Sequence, residues 1–127
     1  MGDYRNLELW NRAHQLALAM YRVTANFPVA ERHGLTAQMR RAAISIPMNI
    51  AEGCGRNTGP ELRRFLRICL GSASELEYQV LLCHTLGYLD HSTANDLAQE
   101  VDEIKQMLAG LIHRVDRTHR TRPGHPT

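Results

Sequence analysis

Long apolar runs, lysine, aromatic side chains and paired cysteines are all scarce in this chain, and each shortage excludes something. No apolar run approaches the ~20 residues that a bilayer-spanning helix needs, so no membrane segment is expected. The opening MGDYRNLELW has no charged stretch followed by an apolar one, which argues against a secretory signal. Asn6 also stands where the myristoylation pattern needs Ser or Thr. The three cysteines, Cys54, Cys69 and Cys83, are odd in number and lack CxxC spacing. That argues against a disulfide framework and a zinc site, and the expected setting is a reduced, cytoplasmic one. Alternating β-branched runs and Asn-Gly turns are missing too, so no hairpin is expected.

What is present is arginine, unevenly placed. Of the 15 basic residues only Lys105 is a lysine. Residues 1–70 carry a formal charge of +5, residues 71–113 carry −6, and the stretch from Arg114 carries +3. Arginine suits bidentate contacts with phosphate and carboxylate better than lysine does. The length of 127 residues fits one domain with one core. We divide it into a helical domain over residues 1–116 and a flexible basic tail over residues 117–127.

Four segments space their apolar residues three and four apart, as a packed helix face does. The first stripe is Leu9, Ala13, Leu16, Met20, Val23 and Phe27, ended by Pro28. The second is Leu35, Met39, Ala42 and Ile46, continued by Asn49 and Gly53. The third runs from Leu62 to Cys83, and the fourth from Leu97 to Val115. Thr58-Gly-Pro-Glu61 reads as a capping box with an early proline, Gly87 as a helix stop, and Asp90 or Ser92 as a cap. Short connections then imply an all-α, antiparallel, up-down-up-down four-helix bundle. The second and third helices also carry apolar residues beside their main stripes: Ala43, Ile44, Ile50, Phe65, Ile68, Leu70, Leu81 and Leu82. Burial on more than one side is expected from such a pattern, and another copy of the chain is the expected cover, in a symmetric homo-oligomer.

The stretch QMRRAAISIPMNIAEGCGR, residues 38–56, sets Pro47 inside a helical pattern, where it removes a backbone bond at a cost of ~3 kcal/mol. Arg41, Ser45, Asn49, Glu52 and Arg56 form a polar stripe along the same helix. Ser45 as a nucleophile with Glu52 as base would need an oriented third group, and no histidine is placed to supply it. A hydrogen-bond network between helices or subunits is the preferred account, with Glu75 and Glu77 available to Arg40 or Arg41 and Asn49 available to the Ala43 carbonyl freed by Pro47. Pro47 itself is then a packing device. His14, His33, His84 and His91 show no metal-binding spacing, so no metal and no cofactor are expected.

These residues carry a resemblance. LTAQMRRAAISIPMNIAEGCGR followed by FLRICLGSASELEYQVLLCHTLGYL, with the opening LELWNRAHQLALAMYRVTANFP, resembles the bacterial four-helix-bundle proteins encoded in intervening sequences of the large-subunit ribosomal RNA gene. Accessory proteins of diversity-generating retroelements are more distant relatives. The resemblance spans about residues 7–115 and rests on Arg40, Arg41, Ser45, Ile46, Pro47, Asn49, Ile50, Ala51, Glu52, Gly53, Gly71, Ser72, Glu75 and Glu77. It implies a ring-like homopentamer of four-helix bundles, a nucleic-acid-associated role and no enzymatic activity. Cys54 departs from the glycine-rich helix exit of that family, and the tail beyond Arg114 has no counterpart to lean on.

Charge places the candidate ligand. Arg56, Arg63, Arg64 and Arg67 surround the turn between the second and third helices, and Arg114, Arg117 and Arg120 follow the fourth. Phosphate contacts from such clusters dominate nucleic-acid affinity, and few aromatics are available for reading single-stranded bases. Structured RNA is the preferred ligand, with DNA second. Pairing with Asp96, Glu100, Asp102 and Glu103 of the fourth helix is the bland account of the same arginines. The alternative function is a protein-binding scaffold, or an accessory factor for a nucleic-acid-handling enzyme such as a reverse transcriptase, without direct nucleic-acid contact.

Overall fold

The computed structural model of the protein describes residues 3–121, with side chains described as far as residue 118. Four helices make up the bundle: α1 (Glu8–Thr24), α2 (Leu35–Cys54), α3 (Gly59–Thr85) and α4 (His91–Thr121). Single 3-10 turns at Tyr4–Asn6 and Val29–Glu31 precede α1 and α2. No strand occurs among the described residues, and no helix among them is long and apolar enough to cross a membrane. α4 continues to Thr121, into the segment that the charge pattern assigns to a tail. Residues 122–127 of that segment lie outside the described residues.

Local chemistry sets the helix ends. Thr58 Oγ1 accepts the Glu61 amide at 3.3 Å and Pro60 occupies the first turn of α3, where its missing N–H costs nothing. Asp90 Oδ1 accepts the Thr93 amide at 2.7 Å at the start of α4. Of the two possible caps it is thus Asp90 that serves, and this bond holds its carboxyl below the usual carboxylate range. Gly87, at φ +82°, lets the Tyr88 amide reach Cys83 O at 2.9 Å and its own amide reach His84 O at 3.0 Å, which closes α3 in the left-handed stop that glycine tolerates best.

The stripes form the core. Leu16 and Met20 of α1, Met39 and Ile46 of α2, Leu66 and Leu76 of α3, and Ile104 and Leu108 of α4 are all fully buried. Ala43 and Ile50, expected on an outer face, are buried as well, because α2 lies against both α1 and α3. Consecutive helices pack on one another and α1 packs on α4, whereas α1 and α3, like α2 and α4, stand diagonally across the core with their backbones apart. On the α1–α4 side, Arg12 forks onto Glu100 with both bonds at 3.0 Å and also reaches Glu103. The α2–α3 register runs from Gly53 beside Leu62, through Ile46 O beside Cys69, to Met39 beside Cys83.

Candidate nucleic-acid interface

The polar stripe of α2 resolves into two groups. At the seam with α3, Asn49 Nδ2 donates to Ser45 O at 2.8 Å and to Ser45 Oγ at 3.0 Å, and Ser72 Oγ donates to Ser45 Oγ at 2.9 Å. Asn49 therefore turns to Ser45 and not to the Ala43 carbonyl, since the residue four back along a helix lies directly beneath it. Pro47 is buried, beside α1. At the end of α2, Glu52 and Arg56 form an exposed ion pair at 3.5 Å. Gly53 packs so closely on α3 that an added Cβ would stand 3.1 Å from both Leu62 Cδ1 and Phe65 Cβ.

The expected pairing of Arg40 and Arg41 with Glu75 and Glu77 does not form. Arg40 turns towards α1, donating to Thr24 Oγ1 at 2.8 Å and to Tyr21 O at 3.2 Å, with its guanidinium 4.5 Å from the Tyr21 ring centre. Arg41 is exposed, Glu77 takes Lys105 at 3.2 Å, and Glu75 is exposed without an ion pair. Rotation decides this: Arg40 lies on the α1 side of α2, so α3 is out of its reach.

The arginine cluster has a definite construction. Phe65, in the second turn of α3, carries the guanidinium of Arg56 at 4.9 Å and that of Arg64 at 5.2 Å from its ring centre, a cation–π arrangement that favours both positions. Arg67 is exposed nearby and makes no ion pair. Arg63 instead binds Asp116 at 2.6 Å, across to the C-terminal end of α4. That bond brings Arg114 and Arg117, both exposed, to the same end of the bundle. The side chain of Arg120 lies outside the described residues. The acids near these six described arginines are Glu52, Glu61 and Asp116, with Asp3, paired to Arg5, and Glu8 at the start of α1. The acids of α4 expected as partners serve elsewhere, with Glu100 and Glu103 held by Arg12. The role of Phe65 as a platform escapes the sequence reading, and the adjacent Arg64-Phe65 pair is its one signal there.

Other side chains able to do chemistry are differently engaged. The Cys69 and Cys83 thiols are buried, which pushes them up to about 12 and about 11 and makes them poor nucleophiles. His14 stacks on Trp10 at 5.0 Å, and His84 lies 5.5 Å from His91. Among the described residues no group of three or more His, Cys, Asp or Glu side chains could hold a metal ion.

Comparison with known proteins matches residues 5–110 to the family described as 23S rRNA-intervening sequence protein. A crystal structure described as a protein with unknown function from the S23 ribosomal protein family, from Bacteroides thetaiotaomicron VPI-5482, has the same fold. The two agree with a TM-score of 0.75 over 82% of this chain and 97% of that one, at 21% identity. No curated protein matches the chain.

Proposed function

The chain belongs to the 23S rRNA-intervening sequence protein family, and on that premise we propose that it is a non-enzymatic, self-assembling helical bundle that binds nucleic acid, structured RNA foremost, through its arginine-rich end. One observation carries this: two guanidinium groups lie over Phe65, with the exposed Arg67 one turn on from Arg64 along α3. Cations held in place lose less entropy on meeting phosphate than free ones, and guanidinium is the geometry that grips phosphate oxygens in pairs. The helices are taken to run up, down, up and down, in keeping with the α2–α3 register and with Arg63 at the start of α3 bonding Asp116 near the end of α4. Assembly is taken as a ring of five, as the family resemblance implies, in a cytoplasmic setting consistent with three free thiols. A ring would repeat the arginine end around one rim and multiply weak phosphate contacts. In support of a non-enzymatic role, the Ser45 hydroxyl is held by Asn49 and Ser72 and has no base against it.

The test is a titration of nucleic-acid-free protein onto labelled structured RNA and duplex DNA across a potassium chloride series. Affinity should fall steeply with salt. Arg64→Glu and Arg67→Glu should weaken binding, and removing each phosphate-bound arginine should flatten the salt slope by about 1. Absence of binding at low salt, with the assembly intact, would transfer the role to a protein-binding scaffold or an accessory factor of a nucleic-acid-handling enzyme.

A further inference from the structure

Because α1 and α3, like α2 and α4, stand diagonally across the core, the α1–α2 side and the α3–α4 side are opposite faces of the bundle. Both are apolar. Between α1 and α2 lies an open groove of about 460 Å³ lined by Trp10, Leu18, Tyr21, Ile44, Pro47 and Met48. Met48 is 63% exposed there. On the other side, α3 presents Tyr78 and Leu81, 62% and 58% exposed. Large apolar side chains so exposed on two faces of one small bundle mark interaction surfaces.

Three further features say what covers them. Gly71 lies two turns before Tyr78, on the same line along α3, and is exposed. A Cβ added there would meet nothing within 4 Å, so no contact inside the chain requires glycine, although glycine weakens a helix relative to alanine. Its use fits the close approach of another molecule's backbone. Around the Tyr21 end of the groove stand Arg22, Arg40 and Arg41, none of them paired with a carboxylate. Beside Tyr78 stand Glu75, without an ion pair, and Glu77. By helix pair the contrast has the same sign, with a formal +2 for residues 8–54 and −2 for residues 59–121.

We infer that the α3 face centred on Gly71 and Tyr78 docks into the α1–α2 groove of a second copy of this chain, its acidic rim against Arg22, Arg40 and Arg41 of that copy. This rests on the proposed self-assembly and assigns the surfaces that perform it. The contact joins unlike faces, so it is head-to-tail, and it gives the proposed ring where the rotation from copy to copy closes. Tyr78 and Leu81 enter the groove, and Gly71 lets the two backbones come close.

The test uses the full chain and light scattering after size exclusion. Met48→Glu and Tyr78→Arg each change an exposed residue, and each should reduce the mass to that of one chain while cooperative melting is kept. Mixed one to one, the two variants retain one intact pair of faces and should give a species of two chains. Gly71→Leu should also lower the mass, without lowering the melting temperature of the Met48→Glu background. A wild-type mass for any of the three variants, or a mixture that stays at one chain, would overturn the assignment while leaving self-assembly standing. A wild-type protein of one chain would overturn self-assembly and the assignment together.

Discussion

The Asn49 side-chain amide reaches back past Pro47 to Ser45, donating to its carbonyl at 2.8 Å and its hydroxyl at 3.0 Å. Ser72 of α3 donates to the same hydroxyl, so the turn of α2 that lacks a backbone bond is tied to its neighbour through one oxygen. Asn49→Ala and Ser72→Ala should each lower stability by about 1 kcal/mol, the usual net value of one partly buried hydrogen bond. Because both bonds end on Ser45 Oγ, the double variant should depart from additivity by at least about 0.5 kcal/mol. Urea unfolding of the four proteins closes the cycle, and additivity within about 0.3 kcal/mol would show that the two bonds act independently.

Features governed by residues close in sequence were legible before the structure. Thr58, Gly87 and Asp90 mark helix ends because a cap depends on a span of three to six residues, and each lies where the sequence places it. The stripes from Leu62 to Cys83 and from Leu97 to Leu111 are buried as their spacing requires. Distant pairings were not legible. Arg63 meets Asp116, 53 residues away, and Arg40 meets Thr24, 16 residues away, and both choices depend on how two helices are rotated about their axes. Thr24 gives no outward sign of this, being a buried hydroxyl that also donates to Met20 O at 2.6 Å. The resemblance supplied the family, but the arrangement of arginines around Phe65 needed coordinates.

Two helical glycines should respond to alanine with opposite signs. At Gly53 the new methyl would press on Leu62 and Phe65 at 3.1 Å, and overpacking of this kind costs about 1–3 kcal/mol, more than the helix gains. At Gly71 the methyl meets open space, and the better helix propensity of alanine should add about 0.5–1 kcal/mol to the single chain. Urea unfolding in the Met48→Glu background, where association is expected to be lost, separates this gain from any effect on assembly. Equal shifts at both positions would mean that α2 and α3 are not as close at Gly53 as the structure places them.

The buried thiols make stability fall at high pH. Desolvation pushes Cys69 up to about 12 and Cys83 up to about 11 in the folded chain. An unfolded cysteine ionises near 8.5. Below that value both states hold the proton, and the contribution is fully present. Above it the unfolded state sheds protons that the folded state keeps, so each thiol lowers stability by about 1.4 kcal/mol per pH unit until the folded thiol ionises. Between pH 9 and pH 10.5 the urea midpoint should therefore drop, and Cys69→Ala should show a shallower drop than the wild type. Identical pH profiles for the two proteins would mean that Cys69 is not protected by the core. The same burial should slow thiol modification at pH 8 relative to a free cysteine, through the smaller thiolate fraction.

The ion pair between Arg63 and Asp116 joins the start of α3 to the far end of α4, and it holds Arg63 away from any phosphate. Both side chains are about one-third exposed or less, so the pair is only partly screened by solvent. Asp116→Asn should lower stability by no more than about 1 kcal/mol, as for other ion pairs near a surface. It should also release Arg63 and remove one negative charge from the arginine-rich end. For a phosphate-binding surface the consequence is tighter binding, with the salt slope steeper by up to about 1 if Arg63 makes a phosphate contact of its own. Arg63→Gln breaks the same pair but removes the cation, so it should match the stability loss without the gain in affinity. If both variants change RNA affinity in the same direction, the pair acts on binding only by holding α3 and α4 together, and Arg63 is a structural residue whatever ligand the neighbouring arginines take.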